Sequence, residues 1–222
     1  MCASPKQRQP VLISFSGIDG AGKSTQIENL TAHLRAADRQ VLLITFWDDV
    51  ATLKSLREDI GHKVFKGDKG VGTPEAPIHR RDKNVRSPVM TLVRLAIYFL
   101  DALSLRKVVR GAFRSGADAV IFDRYIYDEF ANLNLQSAAT RLYVRGVMKL
   151  VPRPALSFVL DAYPDEAHAR KPEYPLDFLH SNRESYLRLS RILADIHVIA
   201  PMPLKSAQAE VVERAHLLLS GV

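Results

Sequence analysis

The chain is nearly without cysteine. Its one thiol, Cys2, rules out a disulfide within the 222 residues. Long apolar runs are also missing. The most apolar helical stretch, residues 95–100, is bounded by Arg94 and Asp101 and is too short to cross a bilayer. No signal-peptide core precedes Val11, so neither export nor a membrane partner is expected. Internal repeats and low-complexity tracts are absent. The net charge of +7 suits phosphate-rich ligands, but the basic residues are scattered and form no nucleic-acid motif. A solvated basic surface accounts for them, and no nucleic-acid partner is expected. What is left, 47% hydrophobic and 25% charged residues, is the profile of a globular domain with a sizeable core.

The most informative stretch runs from Val11 to Thr25, VLISFSGIDGAGKST. Its first five residues read as a buried strand. Gly17-Ile18-Asp19-Gly20-Ala21-Gly22-Lys23-Ser24 fits G-x-x-x-x-G-K-[ST]. After it, Ile27, Leu30, Thr31 and Leu34 recur at helical spacing. Strand, glycine loop and helix are the context the motif requires. The glycines let the backbone turn tightly and bring its N–H groups to phosphate oxygens. The helix N-terminus adds a positive partial charge behind them. Gly17, Asp19, Gly20, Ala21, Gly22, Lys23, Ser24 and Thr25 are therefore the candidate nucleotide-binding residues. Lys23 can reach the outer phosphates of ATP. Ser24 can join a Mg²⁺ shell, with Asp123 as the second candidate metal residue. The motif and the lone cysteine together favour a cytoplasmic protein.

The rest of the chain alternates strands with helices. A polar tail, residues 1–10, precedes the domain, 11–222. Strands are expected at 40–46, 119–122, 155–160 and 195–199, several of them unbroken apolar runs that suit parallel strands buried on both faces. Helices are expected at 48–60, 88–113, 134–151, 181–193 and 206–219, with a short helical turn at 164–170. Residues 61–87 are rich in Lys, Arg, Gly and Pro and show no hydrophobic period. They read as a mobile basic loop, either a solvated connection or a flap over an anionic substrate. The fold class is α/β: five parallel strands flanked by helices. The helix from Pro88 is apolar almost all round between Leu95 and Leu105, more than one buried face needs. Either deep burial or an isologous homodimer would cover it.

In an open parallel sheet, ligands sit beyond the carboxyl ends of the strands. That rule groups the glycine loop with 46–49, Asp123-Arg124-Tyr125 and the segment from Asp161. Arg124 offers paired donors that match a phosphate, although a core ion pair would also explain it. Arg170, in a segment expected to move, could meet charge developing during phosphoryl transfer, or could belong to a charged helix surface.

These residues resemble the thymidylate kinase family. The stretch from Phe15 to Gln26 is similar to its opening and Asp123-Arg124-Tyr125 to its second motif. Leu160-Asp161, Pro164-Asp165-Glu166-Ala167 and Arg170 resemble its strand and lid, and Arg183-Glu184-Ser185-Tyr186 the helix after the lid. The resemblance implies a five-stranded P-loop kinase with a short lid at 164–180. It implies transfer of the ATP γ-phosphate to a nucleoside monophosphate with Mg²⁺, and a dimer. It puts Asp19 near the acceptor sugar and Arg124 on the acceptor phosphate. The lid, and so Arg170, would supply the catalytic arginine. With Lys23, these are the candidate catalytic residues.

The departures fall on the acceptor side. Phe46-Trp47-Asp48-Asp49 stands where the family has an Arg- and Pro-containing motif. Asp101 falls at the family's base-reading arginine, with Tyr98 near it as a stacking ring, and Asp128 and Asn132 fall near the family's small hydroxyl residues and aromatic. Asp49, Tyr98, Asp101, Asp123, Arg124 and Asn132 are the candidate substrate-binding residues. An Asp can only accept where an Arg donates, so thymidylate is expected to be a poor acceptor. A kinase of another small molecule and a nucleotide-binding regulator without transfer remain the alternatives. A switch GTPase is disfavoured, because no N-K-x-D motif is present.

Overall fold

A computed structural model describes residues 10–52 and 88–220. Five strands form one parallel sheet: β1 (Val11–Ser16), β2 (Val41–Thr45), β3 (Ala119–Asp123), β4 (Leu156–Leu160) and β5 (Ile196–Ile199), in spatial order β2-β3-β1-β4-β5. The unbroken run at 40–46, expected to be buried on both faces, is instead the edge strand β2, with Leu43 48% exposed. Every residue of β1 and β4 is buried, whereas the edge strands β2 and β5 are only partly so. Alternation along the strands divides the core into two layers. Leu12, Val120, Phe122 and Val159 lie in one, while Val11, Ile13, Phe15, Ile121 and Phe158 lie in the other.

Helices cover both faces. α1 (Lys23–Ala36) packs Ile27, Leu30 and Leu34 on the second layer, together with Val211 and Ala215 of the closing helix α7 (Leu204–Ser220). The first layer takes α2 (Pro88–Ala112), α3 (Ile126–Phe130), α4 (Ala138–Val147) and α6 (Leu176–Ile192). The short α5 (Pro164–Arg170) follows β4. Among the described residues no helix is long and apolar enough to cross a membrane.

Three helix expectations change. The helix expected at 48–60 begins as a five-residue π-helical turn, Phe46–Val50, which ends before residue 51. The Asp49 carboxylate accepts the Thr45 N–H at 2.8 Å and so fixes the turn's entry. Residues 53–60 and the expected loop at 61–87 lie outside the described residues, as does most of the 1–10 tail. The helix expected at 134–151 is α4 alone, because Asn134 draws the Gln136 N–H to its own side chain in a turn. The five-residue α3 was not expected, and α6 begins five residues earlier than its expected start, directly after Pro175.

The glycine loop is shaped by close backbone contacts. A Cβ on Gly17 (φ 138°) would lie 2.5 Å from the Leu160 carbonyl oxygen, and one on Gly20 (φ 81°) would lie 2.3 Å from that of Ala167 in α5. Both positions need glycine for conformation and for space. Gly116 shares the backbone conformation (φ 83°) but would meet nothing within 4 Å. Gly116→Ala should therefore cost only the backbone term, about 1–2 kcal/mol, and Gly20→Ala distinctly more. Urea unfolding of the two variants checks the order, and equal losses would refute the α5 contact.

Candidate active site

The strand order reverses at β1, which lies between β3 and β4. The crevice beyond its carboxyl end is where an open parallel sheet places ligands. The loop from Gly17 to Gly22 fills this position. α1 begins from Gly22 in the left-handed conformation, with no acidic residue in its first turn. Ser24 and Thr25 are exposed there. The helix N-terminus is thus free of side-chain anions, and no side chain crowds the loop at positions 17 and 20. A phosphate chain fits such a cradle.

Lys23 is buried and donates to the carbonyls of Gly17 and Ile18, at 2.9 Å each, with Asp19 Oδ1 at 3.8 Å. Burial pushes its amine down to about 8, and Arg124 acts in the same direction, against the carboxylates of Asp19, Asp128 and Asp123. Asp19 shows the opposite balance. Burial works against its charge, but Arg124, Lys23 and Lys171 outweigh it and hold the carboxyl below its ordinary range.

Arg124 joins the loop to the end of β3. Its backbone is left-handed, with φ 67°, and its N–H bonds the Phe15 carbonyl at 2.9 Å. The guanidinium donates to Asp19 Oδ1 through Nη2 and to Asp128 Oδ1 through Nη1 at 2.9 Å. Burial disfavours its charge, but Asp128 and Asp19 outweigh burial and hold the proton more firmly than usual. Asp123 precedes it. Burial raises its carboxyl, Asp128 and Asp19 add to that, and Arg124 and Lys23 oppose it.

Asp128, Asp161, Arg183 and Tyr186, none of them among the candidate catalytic or binding residues, complete the surroundings of the site. Asp128 is buried and accepts Ser16 Oγ at 2.6 Å, Tyr186 Oη at 2.8 Å and the Tyr125 N–H at 3.2 Å. Asp161 takes Arg183 with two bonds, 2.6 and 2.7 Å, and that guanidinium lies 5.6 Å from the Tyr163 ring centroid. The Arg124–Asp128 spacing of four is a helical-pair signal in the sequence. Tyr186, 58 residues from Asp128, stands in the stretch that resembles the family's helix after the lid, but nothing in that stretch announces its bond to Asp128.

The other candidates fall elsewhere. Asp101 is fully buried, and its Oδ1 accepts both the N–H and Oγ1 of Thr52 at 2.7 Å. Tyr98 is buried in the core beside α2's other inward residues. Both are buried, and Asp101 ties α2 to the segment after β2. Asp49 caps its own turn. Asn132 lies closer to the cluster and donates to the Asp128 carbonyl at 2.9 Å. Arg170 runs along its own helix, half exposed, with Nε on the Glu166 carbonyl at 3.1 Å. Among the described residues no group of three His, Cys, Asp or Glu could cage a metal. Mg²⁺ held by phosphate oxygens, water and one or two protein oxygens needs none.

Comparison with known proteins follows the same line. No protein-family model matches the chain. It is similar to the thymidylate kinase of Chlorobaculum parvum, 30% identical over 171 residues, or 72% of this chain and 65% of that protein. The chain thus spans just under two thirds of that relative's length. The thymidylate kinase of Dinoroseobacter shibae is 27% identical over 230 aligned positions, 95% of this chain and 97% of that protein. The crystal structure of thymidylate kinase from Ehrlichia chaffeensis shares the fold, with a TM-score of 0.55 and 20% identity over 94% of this chain and 99% of that one.

The lowered Lys23 pKa makes a signed prediction. Between pH 8 and the unfolded value of 10.5 the unfolded chain binds more protons at Lys23 than the folded one. Stability must rise with pH across that window. The gain of wild type relative to Lys23→Met should reach about 2–3 kcal/mol by its upper end. Denaturant unfolding of both proteins from pH 7 to 10.5 checks it, and a pH-independent difference would refute the assignment.

Proposed function

The chain belongs to the thymidylate kinase family, and from that premise we propose that it is a nucleotide kinase, moving the γ-phosphate of ATP to a nucleoside monophosphate with Mg²⁺. The observation that carries this reading is the convergence of Lys23, Asp19 and Arg124 at the glycine loop. In the proposed mechanism the loop's N–H groups and the α1 N-terminus hold the donor phosphates. Lys23 leaves its two carbonyl partners for the β and γ oxygens, where an anion restores its full charge. Ser24 and Asp123 would hold Mg²⁺, which would supply neutralisation of the phosphate charge. Arg124 takes the acceptor phosphate, and Asp19 orients the acceptor sugar. A cation from α5 and the turn after it, Arg170 by resemblance, closes on the transferring group. Residues 11–222 act as one kinase domain, with 164–180 as its lid, in the cytoplasm.

Thymidylate is proposed to be a poor acceptor. The position aligned with the family's base-reading arginine holds Asp101, which is tied to Thr52. The turn after β2 carries Trp47-Asp48-Asp49 instead of an arginine. A site whose polar groups mismatch a base edge can reject it by several powers of ten. Turnover of thymidylate, other nucleoside monophosphates and free nucleosides with ATP and Mg²⁺ tests the reading. A kcat/KM for thymidylate above about 10⁴ M⁻¹s⁻¹, exceeding every other acceptor, would overturn the proposed specificity. Lys23→Ala should abolish acceptor-dependent ADP release in a folded protein, and unchanged turnover would sink the kinase assignment.

A homodimer through α2 is part of the same proposal. Ile97, Ala102, Leu105 and Val109 face the core, whereas Leu92, Phe99, Leu100 and Leu103 stand 66, 40, 42 and 43% exposed on the opposite side. Spacings of three, four and seven put them on one stripe, which a two-fold copy would cover. Sedimentation at micromolar concentration should give twice the chain mass, and Leu100→Glu should halve it. A wild-type mass of one chain would refute the dimer.

A further inference from the structure

We infer that Asp128 is a positioning residue for the acceptor phosphate: it anchors the Arg124 guanidinium from within the core, leaving Asp19 as the partner that an incoming phosphate replaces. The inference rests on the proposed role of Arg124 toward the acceptor.

The two carboxylates that hold Arg124 differ in kind. Asp128 is 3% exposed and is used from both oxygens. Oδ1 accepts Arg124 Nη1 and Tyr186 Oη, and Oδ2 accepts Ser16 Oγ and the Tyr125 N–H. Four donors fill the four acceptor directions of a carboxylate. They come from β1, from the turn after β3 and from α6. Rotating Asp128 toward a ligand would strand two buried hydroxyls, and each unpaired group carries its full desolvation cost. Asp128 is therefore fixed, and with no open lone pair it is no proton acceptor for substrate.

Asp19 sits on the glycine loop with its side chain 18% exposed, and only its Oδ1 meets the two cations. Exchanging it leaves no buried hydroxyl unpaired. A phosphate offers the same paired-acceptor geometry with more charge, so it can take the Nη2 side while Nη1 stays on Asp128. The left-handed backbone of Arg124 fits this division, because strain at a non-glycine residue persists only where surrounding contacts over-determine it.

The test is equilibrium binding of ATP and of nucleoside monophosphates, together with steady-state kinetics, on wild type, Asp128→Asn and Tyr186→Phe. Asp128→Asn keeps the size and removes the charge that orients Arg124. It should weaken monophosphate binding, and raise the acceptor KM, by about tenfold or more, the worth of one charge-assisted bond. ATP affinity should change by a distinctly smaller factor, because Asp128 reaches the donor site only through the field at Lys23. Tyr186→Phe removes one bond to the same oxygen and should shift the same constants in the same direction by a smaller factor. It also keeps the test valid if Asp128→Asn fails to fold. Equal losses of ATP and monophosphate binding would mark Asp128 as merely structural and overturn the inference. So would variants that bind monophosphate as the wild type does. A wild type that binds no monophosphate would instead refute the acceptor reading itself, and the inference with it.

Discussion

The cleft depends on one buried cation. Arg124 sits at the end of β3, where its guanidinium is largely removed from water, and a desolvated charge is tolerable only when paired. Two carboxylates supply the pairing, one from the glycine loop and one from α3. Through Asp128 the same network reaches Ser16 at the end of β1 and Tyr186 in α6. Four separate segments thus meet in one network. The glycine loop keeps its place partly because Asp19 is held there, and Lys23 is buried partly because the loop folds over it.

The sheet makes that meeting possible. Parallel pairing puts Phe15, Asp123 and Thr45 in one register across β1, β3 and β2, so their following residues emerge on one edge. On the other side β4 ends at Leu160, whose carbonyl approaches Gly17, and α5 brings the Ala167 carbonyl to Gly20. Backbone lies against backbone at both points. The loop's shape is therefore set by neighbours that a side chain would displace, which explains glycine at these two positions better than flexibility does.

Much of this was legible in the sequence, and the parts that were not share a cause. The first four strands stand out as mostly apolar runs, although only the inner three are covered on both faces and β2 lies at the edge. The glycine motif is local, and so is Asp123-Arg124 at a strand end. The burial of Asp101 and Tyr98 could not be read along α2, because the bond of Asp101 to Thr52 and the packing of Tyr98 in the core are long-range facts. Asp128 had a visible partner in Arg124 four residues earlier, yet its importance lies in Ser16 and Tyr186, 112 and 58 residues away. α3 escaped notice because five residues are too few to show a period. Its start is fixed by the same Asp128 carboxylate, which takes the Tyr125 N–H.

The cations of the cleft are already matched by carboxylates, and that sets how it can respond to a phosphate. Asp19 Oδ1 lies against both Lys23 and Arg124, so the two cations are not independent. An anion that displaces Asp19 from Arg124 therefore alters the field at Lys23, and an anion at Lys23 alters the field at Arg124. By linkage the two effects on binding must be equal. Three carboxylates, Asp19, Asp123 and Asp128, surround the two cations and oppose any net accumulation of negative charge. A phosphate gains here chiefly by geometry, as a better-matched partner in a partly dry site, rather than by meeting an unpaired positive charge.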